Sequence, residues 1–364
     1  MENVVIALFK ILLYYAIIYF TYCVARSYEK KSMKIPVYMK IIICFLFIGY
    51  LYIATTIPYV MDKKIYALKY SNDIYLSQVY NDSIGLWVIT KILHIFSYNP
   101  MFLFSVVMFI FMYLTLVSYE KIDDADSFSL LLLLLSEYPF FGFYQIKQCL
   151  ALGFVSLGFA YYLKKKNFLA FVCFVIGILF HETAVIIFPV LLIMKGSKKK
   201  TIRLLEYLLL LITCLFFAKI SSFILSIISA LFPTLYSNWN IYLNGNYIIS
   251  NLNFMTTLKG LPFYIMVFIF VIFGIAKKSK VENINMYLIL SLFNCFFIIL
   301  SGYMYWMFRF GSYFYIFNCI IGSLAYKNIV IESNKRIYCF IVLTTFIILG
   351  IKLWLQYYLI YGGI

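Results

Sequence analysis

Long apolar runs, separated by short polar or basic breaks, follow one another from end to end of the chain. They fall near 4–25, 37–58, 101–118, 128–146, 148–163, 168–181, 183–195, 204–230, 259–276, 284–302, 309–326 and 337–357. Each reaches or approaches the roughly 17–25 apolar residues an α-helix needs to cross a bilayer. In hydrocarbon the backbone polar groups of such runs are satisfied by helix. The pattern therefore predicts an all-α, polytopic integral membrane protein with about 12 transmembrane helices. One further apolar segment, 84–97, is shorter and carries Lys91 and His94. No stretch is long and polar enough for a soluble domain, so residues 1–364 are expected to form a single polytopic membrane domain.

Composition agrees with the pattern. The chain is 65% hydrophobic, against roughly 45–50% in soluble domains. The first run is followed by Arg26, Lys30, Lys31 and Lys34. A cleavable signal peptide carries its charge before the apolar region, so this run is expected to be a first span with Met1 outside. The eight cysteines (Cys23, Cys44, Cys149, Cys173, Cys214, Cys295, Cys319 and Cys339) lie in or beside apolar runs. They show neither metal-ligand spacing nor a disulfide framework and read as small packing residues. No cofactor is expected.

The net charge of +16 is mostly lysine in short loops, which fits membrane orientation better than nucleic-acid binding. The basic loops 26–34, 164–166, 195–203, 277–280 and 327–336 hold 4, 3, 5, 3 and 3 Lys or Arg. All five fall on one side only if segment 84–97 does not cross. That segment is therefore predicted to be re-entrant or an amphipathic helix on the outer surface. The acidic loop Glu120–Asp126 then lies inside, because the rule counts Lys and Arg rather than net charge. Loops 59–83 and 231–257 lie outside and are expected to face substrate.

This topology gathers polar residues at one face. Residues 145–184 read as two apolar helices joined by Lys164-Lys165-Lys166. The far end of the first carries Lys147 and Gln148, and the far end of the second carries His181 and Glu182. At 1.5 Å per residue the two arms are about 25 and 22 Å long, so the two polar pairs should stand level. Taken singly, Lys147 also fits a snorkelling helix end, and His181 fits a capped one. The joint placement favours a use.

Arg26, Arg203 and Arg336 sit in inner basic loops. Arg309 instead opens a span among aromatics, where it fits either an interfacial anchor or a cation for an anionic headgroup or diphosphate. Loop 59–83 carries Asp62, Tyr66, Asp73 and Asp82, and loop 231–257 is rich in Asn, Tyr and Trp. Solvated outer loops would also look like this. Tyrosine and amide side chains could equally stack on and hydrogen-bond to sugars. No phosphate-binding glycine loop, dinucleotide fingerprint, HExxH or nucleophile elbow occurs.

The order of these features resembles the EpsG/Wzy-like polysaccharide polymerases. An Asp- and Tyr-bearing loop follows the second span. Then come NDSIGLWVITKILHIF, IKQCLA, a Lys-rich turn, ILFHETAVIIFPVLLI, and a late Arg before an aromatic run. Lys147-Gln148-Cys149-Leu150-Ala151 and Phe180-His181-Glu182-Thr183-Ala184 fill the places of an Arg-Gln element and a Phe-His-x-Ser/Thr-Ala element. The chain departs from the family in three places. Lys147 stands where Arg is usual, no Arg or Gly precedes Asp62 and Tyr66, and Asp82-Ser83-Ile84-Gly85-Leu86 replaces a Glu-Pro-Gly-Phe start.

The resemblance implies a multi-pass enzyme of the bacterial cytoplasmic membrane. Such an enzyme joins undecaprenyl-diphosphate-linked oligosaccharide repeat units at the outer face, building O-antigen, capsule or exopolysaccharide. It implies as partners that lipid-linked oligosaccharide and membrane lipid, with a chain-length regulator as a further candidate and no nucleic acid. Carried onto this chain, Arg309 and Lys147 would hold the diphosphate, and Gln148 and Tyr66 would bind substrate. His181 would share the charge or relay a proton. Asp62 would be the base, with Glu182 the second candidate. Competing classes are a lipid-linked oligosaccharide flippase, an O-antigen ligase and a membrane acyltransferase. A flippase would favour ionisable residues near the midplane and inverted repeats. No repeat is evident.

Overall fold

The computed structural model describes residues 2–53, 61–71, 83–197, 260–272, 281–301 and 307–361. Regular structure among the described residues is all helical. The chain divides into two compact units, Met1–Ile187 with Leu343–Ile364, and Phe188–Val342.

The first unit begins with α1 (Glu2–Lys30), α2 (Val37–Ile53), α3 (Met61–Ser71), α4 (Ile84–His94) and α5 (Pro100–Lys121). It continues through α6 (Ser127–Leu135), a 3-10 turn (Tyr138–Phe140), α7 (Phe141–Tyr144), α8 (Ile146–Leu163), α9 (Asn167–Phe180) and a second 3-10 turn (Glu182–Ile186). Helix α10 (Ile187–Ser197) follows. α1 packs on α2 and α6, α2 on α5, α5 on α8, and α8 on α9.

The α8–α9 hairpin is held by small residues that let the backbones close up, the usual device where lipid removes the hydrophobic drive for helix pairing. A Cβ on Gly158 would stand 2.5 Å from the Phe174 ring, and one on Gly177 would stand 2.9 Å from Val155. The lysine turn is a Schellman closure. The Lys165 N–H donates to the Tyr162 carbonyl (2.9 Å) and the Lys166 N–H to the Tyr161 carbonyl (3.0 Å). This requires Lys165 at a φ of 59°, where glycine is the commoner choice. Helix α1 ends in the same way at Ser32, φ 54°, with the Met33 N–H reaching the Tyr28 carbonyl at 2.9 Å.

Contacts at the helix ends fix which loops share a face of this unit. The Lys164 ammonium meets Asp123 at 3.0 Å, and the Glu29 carboxylate accepts the Ser127 N–H at 2.8 Å. The lysine turn, the acidic loop and the end of α1 therefore lie at one end of the unit, the end the basic loops assign to the inside.

The span expected at 128–146 is not one helix. It breaks into α6, the 3-10 turn and α7. Pro139 has no N–H to continue a helix. The Ser136 hydroxyl bonds back to the Leu133 carbonyl at 2.6 Å and takes the Tyr138 N–H at 3.1 Å, competing with the helical ladder. Tyr138, 1% exposed, anchors the break through its hydroxyl to Ser156 at 3.1 Å.

In the second unit, α11 (Leu261–Ile272) and α12 (Ile284–Leu300) both pack on α14 (Tyr315–Asn328), and the short α13 (Phe308–Ser312) packs on α12. The span expected at 309–326 is thus also divided, by a turn at Tyr313–Phe314. Helix α15 (Glu332–Tyr361) follows, its residues up to Val342 in this unit and the rest in the first. Its Tyr338 hydroxyl donates to the Gly322 carbonyl at 2.8 Å.

The expectation of about twelve spans is met in part. Among the described residues four helices are long and apolar enough to cross, Leu8–Lys30, Pro100–Lys121, Ile146–Leu163 and Glu332–Lys352, and the other apolar helices have 10–17 residues. The run 204–230 and loop 231–257 lie outside the described residues.

Candidate functional site

Both polar pairs lie at the open end of the α8–α9 hairpin. Phe154 stacks on Phe180 with centroids 5.6 Å apart, and a Cβ on Gly177 would lie 3.5 Å from the Ala151 carbonyl. Lys147 is one turn before Ala151 and His181 one turn after Gly177. Both therefore emerge at the same end, as equal arm lengths predict.

Lys147 is half-exposed, and its ammonium lies 5.6 Å from the centroid of the Tyr66 ring. This is cation–π distance. It joins two residues singled out separately in the sequence and places α3 over the start of α8. Asp62 lies four residues before Tyr66 in the first turn of α3. Gln148 is 1% exposed and turns inward from the first turn of α8. Lys147 also stands where the helix dipole of α8 presents its positive end, which favours anions. Gln145 caps that end through its backbone, is 8% exposed, and its side-chain carbonyl has no hydrogen-bond partner among the described residues.

His181 ends α9 in extended conformation, its N–H bonded to the Gly177 carbonyl at 3.0 Å. Its Nδ1 accepts the Thr183 N–H at 3.3 Å and faces the Thr183 hydroxyl at 2.6 Å. Because an N–H can only donate, Nδ1 is the acceptor, the hydroxyl donates too, and Nε2 carries the ring proton. Thr183 thus fixes both tautomer and ring orientation. Glu182 is exposed in the first turn of the 3-10 segment.

Helix α4 seals this end of the hairpin. It packs on α9, and a Cβ on Gly85 would come 2.8 Å from the Phe180 ring. Its buried side carries Leu86, Thr90, Leu93 and His94, and its exposed side Ile84, Val88 and Ile92. His94 ties α4 to α3. Its Nε2 donates to the Tyr70 carbonyl at 3.0 Å and its ring stacks on Tyr98 at 4.5 Å. The Tyr70 hydroxyl donates to the Ser97 carbonyl at 2.6 Å. Burial, and the nearby Tyr98, push that phenol above its ordinary pKa, so it stays a neutral donor.

Arg309 belongs to the second unit. It is half-exposed on α13, and its carbonyl accepts the Ser312 hydroxyl at 2.7 Å. Beneath it, Asn294 on α12 donates from Nδ2 to the Gly311 carbonyl at 2.7 Å, and Asn318 on α14 donates to Asn294 Oδ1. Both amides were passed over in the sequence. Their signal was an Asn well inside each of two apolar runs. Thr183 and Gly85 lie within the motifs, and His94 within the short apolar segment, where sequence alone assigns them no role. Asp73 and Asp82 lie outside the described residues.

Fold and site together define a polytopic helical membrane protein with a cation-and-aromatic cluster at the open end of a helical hairpin. The chain belongs to the EpsG family, whose model matches residues 58–361, most of the chain and every residue of the candidate site. That membership points to a polysaccharide-polymerase type of function in polysaccharide biosynthesis. No curated protein and no solved structure matches the chain.

Proposed function

We propose that the protein is a membrane glycosyltransferase that joins undecaprenyl-diphosphate-linked oligosaccharide repeat units at the outer face of the bacterial cytoplasmic membrane. The observation that carries this reading is Lys147 against the Tyr66 ring at the start of α8, level with His181. A cation beside an aromatic face suits a substrate that pairs a diphosphate with a sugar. In the reaction an acceptor hydroxyl forms a bond to the anomeric carbon, the bond from that carbon to the diphosphate oxygen breaks, and undecaprenyl diphosphate leaves. The hydroxyl proton passes to a base. Leaving-group charge is the main electrostatic demand. Lys147 and Arg309 meet it, Gln148 and Tyr66 orient substrate, and His181 shares the charge by donating a hydrogen bond from Nε2 to the departing diphosphate. Asp62 is the first candidate for the base and Glu182 the second.

The test is purified full-length protein in liposomes supplied with labelled undecaprenyl-diphosphate oligosaccharide. The expected result is a ladder of longer glycans with release of undecaprenyl diphosphate. Movement of the lipid across the bilayer without chain growth would instead mark a flippase. Transfer only to a different acceptor would mark a ligase.

A further inference from the structure

We infer that Asn294 and Asn318 are positioning residues that set the angle of the Arg309 turn. The inference rests on the reading above, in which Arg309 holds the lipid diphosphate. Both amides are 0% exposed inside an apolar three-helix unit, where a leucine would pack without the cost of desolvating an amide. Their hydrogen bonds form a directed chain. Asn318 donates to Asn294 Oδ1, and this fixes which way the Asn294 amide points. Asn294 Nδ2 then faces the Gly311 carbonyl at 2.7 Å, two residues beyond Arg309. Asn318 Oδ1 has no partner among the described residues, so the pair is not simply a saturated polar clamp between α12 and α14.

The backbone of α13 lies directly on α12. A Cβ at Gly311 would stand 3.1 Å from Phe297 Cβ and 3.3 Å from the Asn294 carbonyl. Phe310 packs on Phe297 with centroids 5.6 Å apart. A five-residue helix has too few internal hydrogen bonds to hold a fixed direction alone. The Asn294 contact and the glycine seat supply that direction. A guanidinium recognises phosphate through a planar fork, so its use depends on that angle.

The experiment measures binding of undecaprenyl diphosphate to the purified full chain in detergent, which needs no turnover. Asn294→Ala and, separately, Gly311→Ala are compared with the native chain, each also in an Arg309→Lys background. The expected result is a loss of affinity of roughly 10- to 100-fold in the native background, falling to less than about twofold where Lys replaces the fork. Equal losses in both backgrounds would show that the amides only support the fold, and unchanged affinity for both variants would overturn the inference outright. Should Asn294→Ala not fold, Gly311→Ala decides, since it leaves both amides in place. Native affinity in Arg309→Lys would remove Arg309 from the site and the inference with it. Binding that depends on Arg309 in a protein that makes no polymer would refute the polymerase reading while leaving the positioning role standing.

Discussion

Lys40 and Glu120 form an ion pair 2.5 Å long with both side chains under 10% exposed, 8% and 9%. It joins the start of α2 to the end of α5. At the other end of the same two helices the Ser105 hydroxyl reaches the Tyr52 hydroxyl at 3.4 Å. α2 and α5 are therefore antiparallel, and the chain leaves α2 and enters α5 at one and the same end. Between them α3 and α4 have 11 residues each, about 16 Å of helix, against a hydrocarbon core of about 30 Å. This geometry supports the reading in which segment 84–97 does not cross, which the basic loops required. The partners are buried, so removing one strands the other charge. Lys40→Met or Glu120→Leu alone is expected to cost about 3–5 kcal/mol, and the double replacement much less than either. Thermal unfolding of the detergent-solubilised variants checks this. Reporter fusions after Asn99 and after Asp124 should report opposite faces.

The Lys147–Tyr66 contact separates charge from shape. Lys147→Ala is expected to lower polymer formation by on the order of 10²–10³ if the ammonium stabilises the departing diphosphate. Lys147→Arg should keep or improve activity, because the fork adds bidentate contact. Tyr66→Leu removes only the ring face, worth about 0.5–1 kcal/mol, and should raise KM a few-fold with kcat little changed. Initial rates on a lipid-linked repeat unit distinguish the three. A silent Lys147→Ala would remove this residue from the site.

How much of this was legible in the sequence depended on whether a feature had a period. The α8–α9 hairpin was plain, because two apolar runs of helical length flank a lysine turn, and level ends follow from counting residues. The expectation that 84–97 does not cross rests on charge. The breaks at 136–145 and 313–314 were missed because hydropathy averages over a window, while residues such as Ser136 and Pro139 act one at a time. Asn294 and Asn318 left no pattern, being isolated amides in separate apolar runs. The contact of Tyr66 with Lys147 spans a long stretch of chain. Composition marked each residue as notable, but only packing of α3 on the unit brings them together.

Thr183 offers a test that leaves His181 itself intact. Its hydroxyl and N–H both donate to Nδ1, so Thr183→Val removes one donor and frees the ring to turn. The expected loss is part of the roughly 10²–10³-fold that a preorganised hydrogen-bond donor supplies, and it should appear in kcat rather than KM. Thr183→Ser keeps the hydroxyl and should restore most of the rate. Equal activity of the valine and serine variants would mean that the ring orientation is not used.

Gly85 controls how closely α4 covers the hairpin end. The missing Cβ leaves room for the Phe180 ring, which is itself pinned by stacking on Phe154, so neither neighbour has slack. Gly85→Ala is expected to destabilise by about 1–3 kcal/mol through overpacking. Gly85→Val should push α4 off α9 and shift His181, the next residue after Phe180. Phe180→Leu in the Gly85→Ala background should recover stability by making space. If it does, activity shows what the seal is for. Stability restored without activity would mean that the Phe180 ring, and not merely the closeness of α4, holds His181 in place.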